Sequence, residues 1–167
     1  RSDGNFQAEW RRVSGTKHRL YRFSMAIEGV SAKTALHATW QSLGTPESVY
    51  FGDRNVLNQR SILELDANHF VGVQATKMPR GITDRIICSL ASKHEAKLLI
   101  TNTHVELNSD ALRRAVPYRG NFAIGKPRNY SMRFEATADG DCRVSALVCF
   151  DPKGSVPSAL VNTDVVG

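Results

Sequence analysis

The side chains that could carry acid–base or thiol chemistry are few in this sequence and are scattered along it. The 167 residues include five histidines and three cysteines. These are His18, His37, His69, His94, His104, Cys88, Cys142 and Cys149. No HExxH, GxSxG, CxxC or glycine-rich phosphate-binding spacing occurs. The sequence therefore predicts no catalytic constellation, no metal site and no cofactor.

His104 is the best single candidate for a catalytic group. In a strand, alternate side chains point to the same side, so His104 shares a face with Asn102 and Ile100. A buried imidazole at this place could act as a base. A single isolated histidine is more often structural than catalytic. Both interpretations stay open, with a non-enzyme favoured.

The composition indicates one globular domain over residues 1–167. With 41% apolar and 23% charged residues, the chain can bury a core. Its apolar runs are far shorter than the roughly 20 residues that a membrane helix needs. Three cysteines without a metal spacing favour a reducing compartment, so we expect a cytoplasmic protein, most simply a monomer.

A net charge of +6 favours anionic partners. The segment 19–23 alternates basic and aromatic residues, which is typical of some nucleic-acid-binding strands. On a strand, however, Arg22 points away from Tyr21 and Phe23. The aromatic residues therefore form no uniform stacking platform with the arginines, and we expect no nucleic-acid partner.

Most of the chain alternates between apolar and polar residues, which predicts an antiparallel sheet. Strands are expected over 6–13, 17–28, 57–66, 69–77, 85–91, 96–107 and 142–150, and residues 118–124 and 130–137 fit either one bent strand or a hairpin. A helix is expected from Ala32 to Leu43, with Ser31 as its cap and Gly44 at its end. A further turn of helix at 46–51 and a terminal helix beginning at 156–161 are also expected. The class is α+β, a curved sheet closing on helices.

Three segments of the chain resemble the START (StAR-related lipid transfer) domain. They are residues 10–32, residues 83–87 and residues 143–162. The third is the most specific, because Asp151-Pro152-Lys153-Gly154 is followed by Pro157 and by Val161-Asn162 at the family's spacing. Where the family commonly has Arg-Asp before the central strand, this chain has Asp84-Arg85.

The resemblance implies a helix-grip fold, in which a curved antiparallel sheet wraps around a C-terminal helix and encloses a lipid. We expect the N-terminal helix, and most of the C-terminal one, to be missing or truncated here. The function implied is an intracellular lipid-binding or lipid-transfer module that holds one phospholipid or sterol. Because helix-grip proteins include cyclases and hydrolases, an enzyme acting on a hydrophobic small molecule is the alternative.

On this view the inward side chains of the sheet line the ligand cavity. The predicted cavity residues are Tyr21, Phe23, Met25, Leu63, Val73, Ile86, Cys88, Ile100, Asn102, His104, Met132, Phe134, Val144, Ala146 and Val148. A solid core would show the same apolar pattern, so packing is the alternative for any one of them. Asn102 and His104 interrupt the apolar face and are candidates for contact with the ligand's polar head.

The segment from Lys77 to Thr83 is the predicted gate. START domains carry a mobile loop at this position, and the resemblance gives that role to Lys77, Met78, Pro79, Arg80, Gly81 and Ile82. The two cations would attract an anionic membrane surface while the apolar side chains insert shallowly. A transient peripheral contact with membranes is therefore expected. A solvated turn is the alternative.

Overall fold

A computed structural model describes residues 6–14, 18–45, 56–78, 80–116, 120–151 and 153, with the backbone alone for 56–61. In chain order the elements are β1 Phe6–Arg12, β2 Arg19–Ile27, α1 Ala32–Leu43, β3 Val56–Asp66, β4 His69–Thr76, β5 Asp84–His94, β6 Leu99–His104, α2 Asp110–Arg114, β7 Phe122–Ala136 and β8 Cys142–Asp151. The helical segments expected at 46–51 and 156–161, the latter beginning the C-terminal helix, lie outside the described residues.

The strands form one curved sheet in the order β1-β2-β8-β7-β6-β5-β4-β3. Neighbouring strands are antiparallel, as the alternation predicts. Residues 122–136 are one long strand. Its second half pairs with β6, and beyond the end of β6 its first half pairs directly with β5 in parallel. The sheet is therefore one strand narrower at this end, beside His104.

Helix α1 covers one face of the sheet. Its N-cap is Ser31, whose Oγ accepts from the Thr34 backbone N–H at 3.1 Å. The apolar positions recur at helical spacing, and their side chains are buried against several strands. The buried cluster comprises Ala32, Ala35, Leu36, Leu43, Phe70, Ala91, Ile100, Phe134, Cys142 and Val144. The predicted helix and its cap are thus confirmed.

The strand expected over 96–107 is shorter than predicted. A 3₁₀ turn at Glu95–Lys97 joins β5 to β6, and Leu98 has a positive φ of 48°. The Leu98 N–H donates to the Glu95 carbonyl at 3.0 Å, which closes the turn. The alternation of apolar residues continues through this turn, so the sequence pattern did not show that β6 begins only at Leu99.

Helix α2 was not predicted. The Ser109 Oγ caps it by accepting from the Leu112 N–H at 3.2 Å. Its side of the sheet carries a second buried cluster, formed by Val71, Val73, Ala75, Ile86, Cys88 and Val116, with Leu63, Leu90, Val105, Leu107, Leu112 and Ala115 packed against it. The Ser-Asp start and the spacing of Leu112, Ala115 and Val116 were the available signal.

Within the described ranges, no helix has the length and apolarity required to cross a bilayer.

Candidate functional site

The two faces of the sheet have different neighbours, and we name them by these. The α1 face contains Ile100, Phe134 and Val144, which pack with helix α1. The α2 face contains Val73 and Cys88, which pack in the cluster beside helix α2. Because side chains alternate along a strand, each strand contributes to both faces.

The predicted cavity residues divide between these faces. Eleven lie on the α1 face by strand register and alternation: Tyr21, Phe23, Met25, Ile100, Asn102, His104, Met132, Phe134, Val144, Ala146 and Val148. The other four, Leu63, Val73, Ile86 and Cys88, belong to the cluster on the α2 face. The fifteen therefore cannot line one cavity. On β4 and β5 the more apolar side chains lie on the α2 face, and alternation within a strand does not show which of its faces continues a given face of the next strand.

Part of the α1 face is closed by packing. Phe134, Ile100 and Val144 are buried in the cluster with α1, and Met132 packs against it. These four side chains serve as core, which is the alternative that the sequence left open. The α1-face residues described on β1, and those of β2 from Tyr21 to Met25, lie outside this cluster, whereas Ile27 at the end of β2 packs against it.

This part of the α1 face carries an aromatic strip, formed by Phe6, Trp10, Tyr21 and Phe23, of which Tyr21 is 5% exposed. The rings of Phe6 and Phe23 stack with centroids 6.1 Å apart, and those of Tyr21 and Phe23 at 6.2 Å. Trp10 is 49% exposed and Phe6 38%. Met25, opposite Phe6 in the register, is 44% exposed. An exposed apolar surface of this kind, continuous with a core, is typical of binding sites.

One cross-strand row joins the aromatic strip to the helix α1 cluster. The strand registers place in this row Trp10, Tyr21, Val148, Tyr130, Asn102, Ala91 and Phe70. Asn102 lies in this row between Tyr130 and Ala91. The next α1-face residue along β6 is His104, which lies opposite Ser89.

Asn102 and His104 form a polar pair with unsatisfied atoms. The Oδ1 of Asn102 and both ring nitrogens of His104 are buried without a hydrogen-bond partner. The Nε2 of His104 lies 3.2 Å from Glu106 Oε1, within ion-pair distance but outside hydrogen-bond geometry. The Glu106 carboxylate accepts from Lys126 Nζ, and the pKa of Glu106 is lowered chiefly by that bond.

The neighbours of the polar pair are small. Gly72, Ser89 and Ala91 occupy the adjacent positions of β4 and β5. A cavity of about 30 Å³ remains there, lined by Leu43, Phe70, Gly72, Gln74, Ile87, Ser89 and Asn102. This volume admits about one water molecule and no lipid. It marks the place on the α1 face where a polar group can reach Asn102.

A groove with a larger volume than this cavity lies on the other face of the sheet. A groove of about 550 Å³ runs over the α2 face of the strands from β1 to β6. Its lining is Glu9, Trp10, Arg11, Leu20, Arg22, Leu99, Ser131, Arg133, Glu135, Ser145 and Leu147. None of the predicted cavity residues belongs to this lining. A lipid-sized cavity on the α1 face thus stays a prediction.

The Asp151 motif builds a buried polar cluster at the end of β8. Asp151 is 5% exposed. Its carboxylate accepts from Arg128 Nη2 at 2.9 Å and from the Lys153 backbone N–H at 3.0 Å, and lies 3.1 Å from Lys153 Nζ and 3.7 Å from His18 Nε2. Burial alone would raise the pKa of Asp151, but these donors together lower it to about 2.

Asp84 and Arg85 tie the predicted gate to this cluster. The Arg85 guanidinium is 3% exposed. It donates to the Lys153 carbonyl at 2.9 Å and, through Nη1, to the Thr83 carbonyl. Asp84 Oδ1 accepts from the Met78 N–H at 3.0 Å. Two sequence segments that carry the family resemblance, 83–87 and 143–162, thus meet through Arg85.

The remaining gate residues have mixed exposure. Lys77 and Arg80 are exposed, while Met78 and Ile82, which would insert into a membrane in the predicted contact, are half-buried. Gly81 has a φ of +90°, a conformation that favours glycine. Pro79 lies outside the described residues.

The cysteines are buried thiols without a disulfide. Burial raises the pKa of Cys88 to about 11 and also raises the pKa values of Cys142 and Cys149. A raised pKa disfavours the reactive thiolate, so these side chains act as small apolar groups in the packing.

Comparison with known proteins shows the fold. No protein-family model and no curated protein matches the sequence. Human STARD10 superposes with a TM-score of 0.72 at 21% identity over 97% of this chain, which spans 63% of the length of that structure. A STAR-related lipid transfer protein from Xanthomonas axonopodis superposes with a TM-score of 0.71 at 16% identity, covering 99% of this chain and 88% of the other.

An aromatase/cyclase is a more distant structural neighbour. The Zhui aromatase/cyclase from Streptomyces sp. R1128 has a TM-score of 0.53 at 12% identity, over 83% of this chain and 71% of that one. The eight-stranded curved sheet, its strand order and these superpositions agree with the expectation from the three sequence segments. The fold of this chain is the START-like helix-grip fold.

Proposed function

We propose that this chain is a lipid-binding module, of the lipid-transfer type, that holds one hydrophobic ligand against the α1 face. The observation that carries the proposal is the aromatic strip together with the adjoining Met25: Phe6, Trp10 and Met25 are exposed on the same face as a buried core. Proteins with superposable folds include one described as a lipid transfer protein.

The physical driving force is the removal of apolar surface from water. Each Å² buried contributes about 25 cal/mol, so a ligand that covers about 200 Å² of the strip and an equal area of its own gains about 10 kcal/mol before the costs of association. Stacked aromatic rings are suited to this role because few rotamers are lost on binding.

A charge introduced at Met25, beside the aromatic strip, tests the proposal. Met25→Glu should lower lipid uptake from vesicles at least tenfold and change the free energy of unfolding by less than about 1 kcal/mol, because Met25 is 44% exposed. Leu65→Glu is the matched control, since Leu65 is 61% exposed and lies on β3, at the opposite edge of the sheet from β1. Lipid in the re-isolated protein is measured by extraction and mass spectrometry.

Two outcomes would count against lipid binding on this face. Equal losses of uptake and of stability in Met25→Glu would assign the strip to packing. Equal uptake by Met25→Glu, Leu65→Glu and the unmodified protein would place the ligand elsewhere.

Catalysis on a hydrophobic small molecule is the second candidate, favoured by one observation. His104 Nδ1 is buried without a partner, as is required of a base that awaits a substrate proton. The structural similarity to an aromatase/cyclase gives this candidate its reaction class. If catalysis occurs, His104→Ala abolishes turnover while ligand binding persists; unchanged turnover in that variant excludes His104 as the base.

We further propose that the gate loop makes a transient contact with anionic membranes. Lys77 and Arg80 are exposed on one short loop, and the half-buried Met78 and Ile82 adjoin them. Each cation gains about 1 kcal/mol near an anionic surface. The bond from the Met78 N–H to Asp84 fixes the base of the loop, so the cations project from an anchored segment.

Replacing both cations by serine tests the membrane contact. Lys77→Ser with Arg80→Ser should weaken binding to phosphatidylserine vesicles about tenfold or more and reduce its salt dependence, with preloaded lipid retained. Lys97→Ser with Arg143→Ser is the control, because both cations are exposed; Lys97 lies in the turn after β5 and Arg143 near the start of β8, whereas the gate precedes β5. The same loss in both double variants would show a general charge effect and remove the loop from the mechanism.

A further inference from the structure

The two edges of the sheet differ in regularity. Strand β1 forms one edge and β3 the other. The register of β3 with β4 is shifted at two places, whereas that of β1 with β2 runs without a shift. Bulges, prolines and charged side chains protect an edge strand from pairing with another chain. Strand β1 has no bulge and no proline, so its charges alone decide whether a second chain can pair with it.

The backbone groups at the free edge follow from the pairing with β2. The Val13 N–H donates to the His18 carbonyl at 3.1 Å, in the register of the β1–β2 pair. Alternate residues of an antiparallel pair make the cross-strand bonds, so the odd-numbered residues of β1 bond to β2. The N–H and C=O groups of Ala8, Trp10 and Arg12 therefore point away from the sheet, and no strand of the described residues pairs with them.

The charges of β1 restrict how a second copy of the chain can pair with it. Antiparallel pairing about a two-fold axis at Glu9 would place two glutamates opposite each other, and an axis at Arg11 two arginines. An axis at Trp10 places Glu9 of each copy opposite Arg11 of the other. Cross-strand neighbours of opposite charge attract, and side chains are closest at pairs without a backbone hydrogen bond, as here. Among the described residues, Glu9 pairs with Arg22 and Arg11 has no ion-pair partner.

The same axis aligns the outward backbone groups of the two copies. Trp10 lies opposite Trp10 of the second copy, and Ala8 lies opposite Arg12, so that each pair exchanges two backbone hydrogen bonds. Trp10, which is 49% exposed, is covered in part by its counterpart. An axis at Ala8 would also align these groups, but it would place Glu9 opposite Gln7 without an ion pair.

We propose that the chain, in place of the monomer expected from its sequence, forms a two-fold symmetric dimer through β1 with Trp10 at the axis. Residues that face each other in an antiparallel pair lie on one side of the sheet, so the aromatic strips of the two copies meet at Trp10. Backbone bonds supply the affinity of such strand addition, and side chains set the register. Because a single strand buries less than a standard interface, we expect a dissociation constant on the order of 10 to 100 µM.

Charge reversal tests this register. Glu9→Arg and Arg11→Glu should each weaken dimerisation at least tenfold, because two attractive pairs become repulsive. The double variant Glu9→Arg with Arg11→Glu restores opposite charges and should regain the original affinity. An equimolar mixture of the two single variants should form a heterodimer, since every charge pair between them is again of opposite sign. Sedimentation equilibrium measures each dissociation constant.

Arg133→Glu is the control for charge reversal. Arg133 belongs to an exposed ion pair on β7, away from the edge, so this variant should dimerise like the unmodified chain. Circular dichroism checks that all variants fold. The Arg22–Glu9 ion pair that two of them lose is exposed and therefore weak.

Amide hydrogen exchange locates the interface in the unmodified chain. The amides of Ala8, Trp10 and Arg12 should exchange more slowly as the protein concentration rises from about 5 to about 500 µM, because each gains a cross-strand bond. Those of Glu9 and Arg11 should change less, since they already bond to β2.

Three results would overturn the proposal. A monomer at the highest concentration would leave the β1 edge to an extended segment of another protein. A dimer that is insensitive to Glu9→Arg and Arg11→Glu, or slowed exchange confined to amides outside β1, would place the contact elsewhere. Lipid uptake is measured separately, so each of these results leaves the proposed function standing.

Discussion

Two groups of buried polar side chains lie on this sheet, and their hydrogen-bonding groups are satisfied to opposite degrees. At the end of β8, the Asp151 carboxylate has Arg128 and Lys153 as partners, and Arg85 binds two carbonyl oxygens nearby. At the end of β6, Asn102 Oδ1 and both ring nitrogens of His104 are buried without hydrogen-bond partners. The two groups differ more in the number of their hydrogen-bond partners than in their burial.

This difference distinguishes polar groups that stabilise the fold from polar groups that a ligand or a water molecule can satisfy. A buried polar group with all partners in the chain adds to stability and defines local conformation. A buried group without partners costs stability, and its cost is offset only when a ligand or water supplies the missing bond. The Asp151 cluster is thus satisfied within the chain, whereas the Asn102 pair has atoms that no group of the described residues satisfies.

Removing the Arg85 guanidinium should have the largest effect. Arg85→Met leaves the Thr83 and Lys153 carbonyls without their donor and should lower the free energy of unfolding by about 3 kcal/mol, as measured in urea. Hydrogen exchange of the Met78 and Gly81 amides should accelerate, because the gate loses its link to the Asp151 cluster.

Arg133→Met is the control for this substitution. Arg133 forms an exposed ion pair with Glu135 at 3.3 Å, so its loss should cost less than about 1 kcal/mol. Equal costs for Arg85→Met and Arg133→Met would contradict an anchoring role for Arg85.

Neutralising Asp151 should have the next largest effect. Its pKa is about 2 in the folded protein and about 3.9 in unfolded chains. The stabilisation by the carboxylate, about 2 kcal/mol, is thus fully present above about pH 4 and is lost as the pH falls toward 2. Asp151→Asn should lower stability by about that amount at pH 7.

Urea unfolding at pH 7, 4 and 2.5 measures this pH dependence. The difference between the original protein and Asp151→Asn should shrink across the series, because the original protein gains a proton that the variant does not. A difference that stays constant with pH would show that Asp151 acts by shape and not by charge.

Removing the Asn102 amide should have the smallest effect on stability. Asn102→Leu replaces a buried acceptor that lacks a partner, so the free energy of unfolding should be unchanged or raised by up to about 1 kcal/mol in urea. A loss of 2 kcal/mol or more would mean that the amide is already satisfied within the chain, and the contrast with Asp151 would disappear.

The sequence predicted the elements better than their surroundings. Alternation identified the strands, and helical spacing with Ser31 identified α1, since both signals are local. The 3₁₀ turn at Glu95–Lys97 and the five-residue helix α2 were missed because short elements leave few periods to detect. The continuity of β7 depends on its pairing with both β6 and β5, which is a tertiary property.

The candidate site was predicted only in part, for a similar reason. Alternation placed Asn102 and His104 on one face with Ile100, and the registers of β6 with its neighbouring strands agree with this placement. It grouped Val73 and Cys88 with them, although those residues pack on the α2 face. A pattern with period two states that a strand has two faces, and it carries no information on how the faces of separate strands correspond.

By itself, therefore, the sequence determined the α+β class, the capped helix and, through the Asp151 and Thr83-Asp84-Arg85 segments, the resemblance to a lipid-binding fold. Only the tertiary structure decided which apolar residues are core, which remain exposed beside Trp10, and that Arg85 reaches the Lys153 carbonyl across 68 positions of sequence. The physical reason is range: propensity and capping act between near neighbours in sequence, whereas burial and the pairing of buried polar groups depend on residues that only folding brings together.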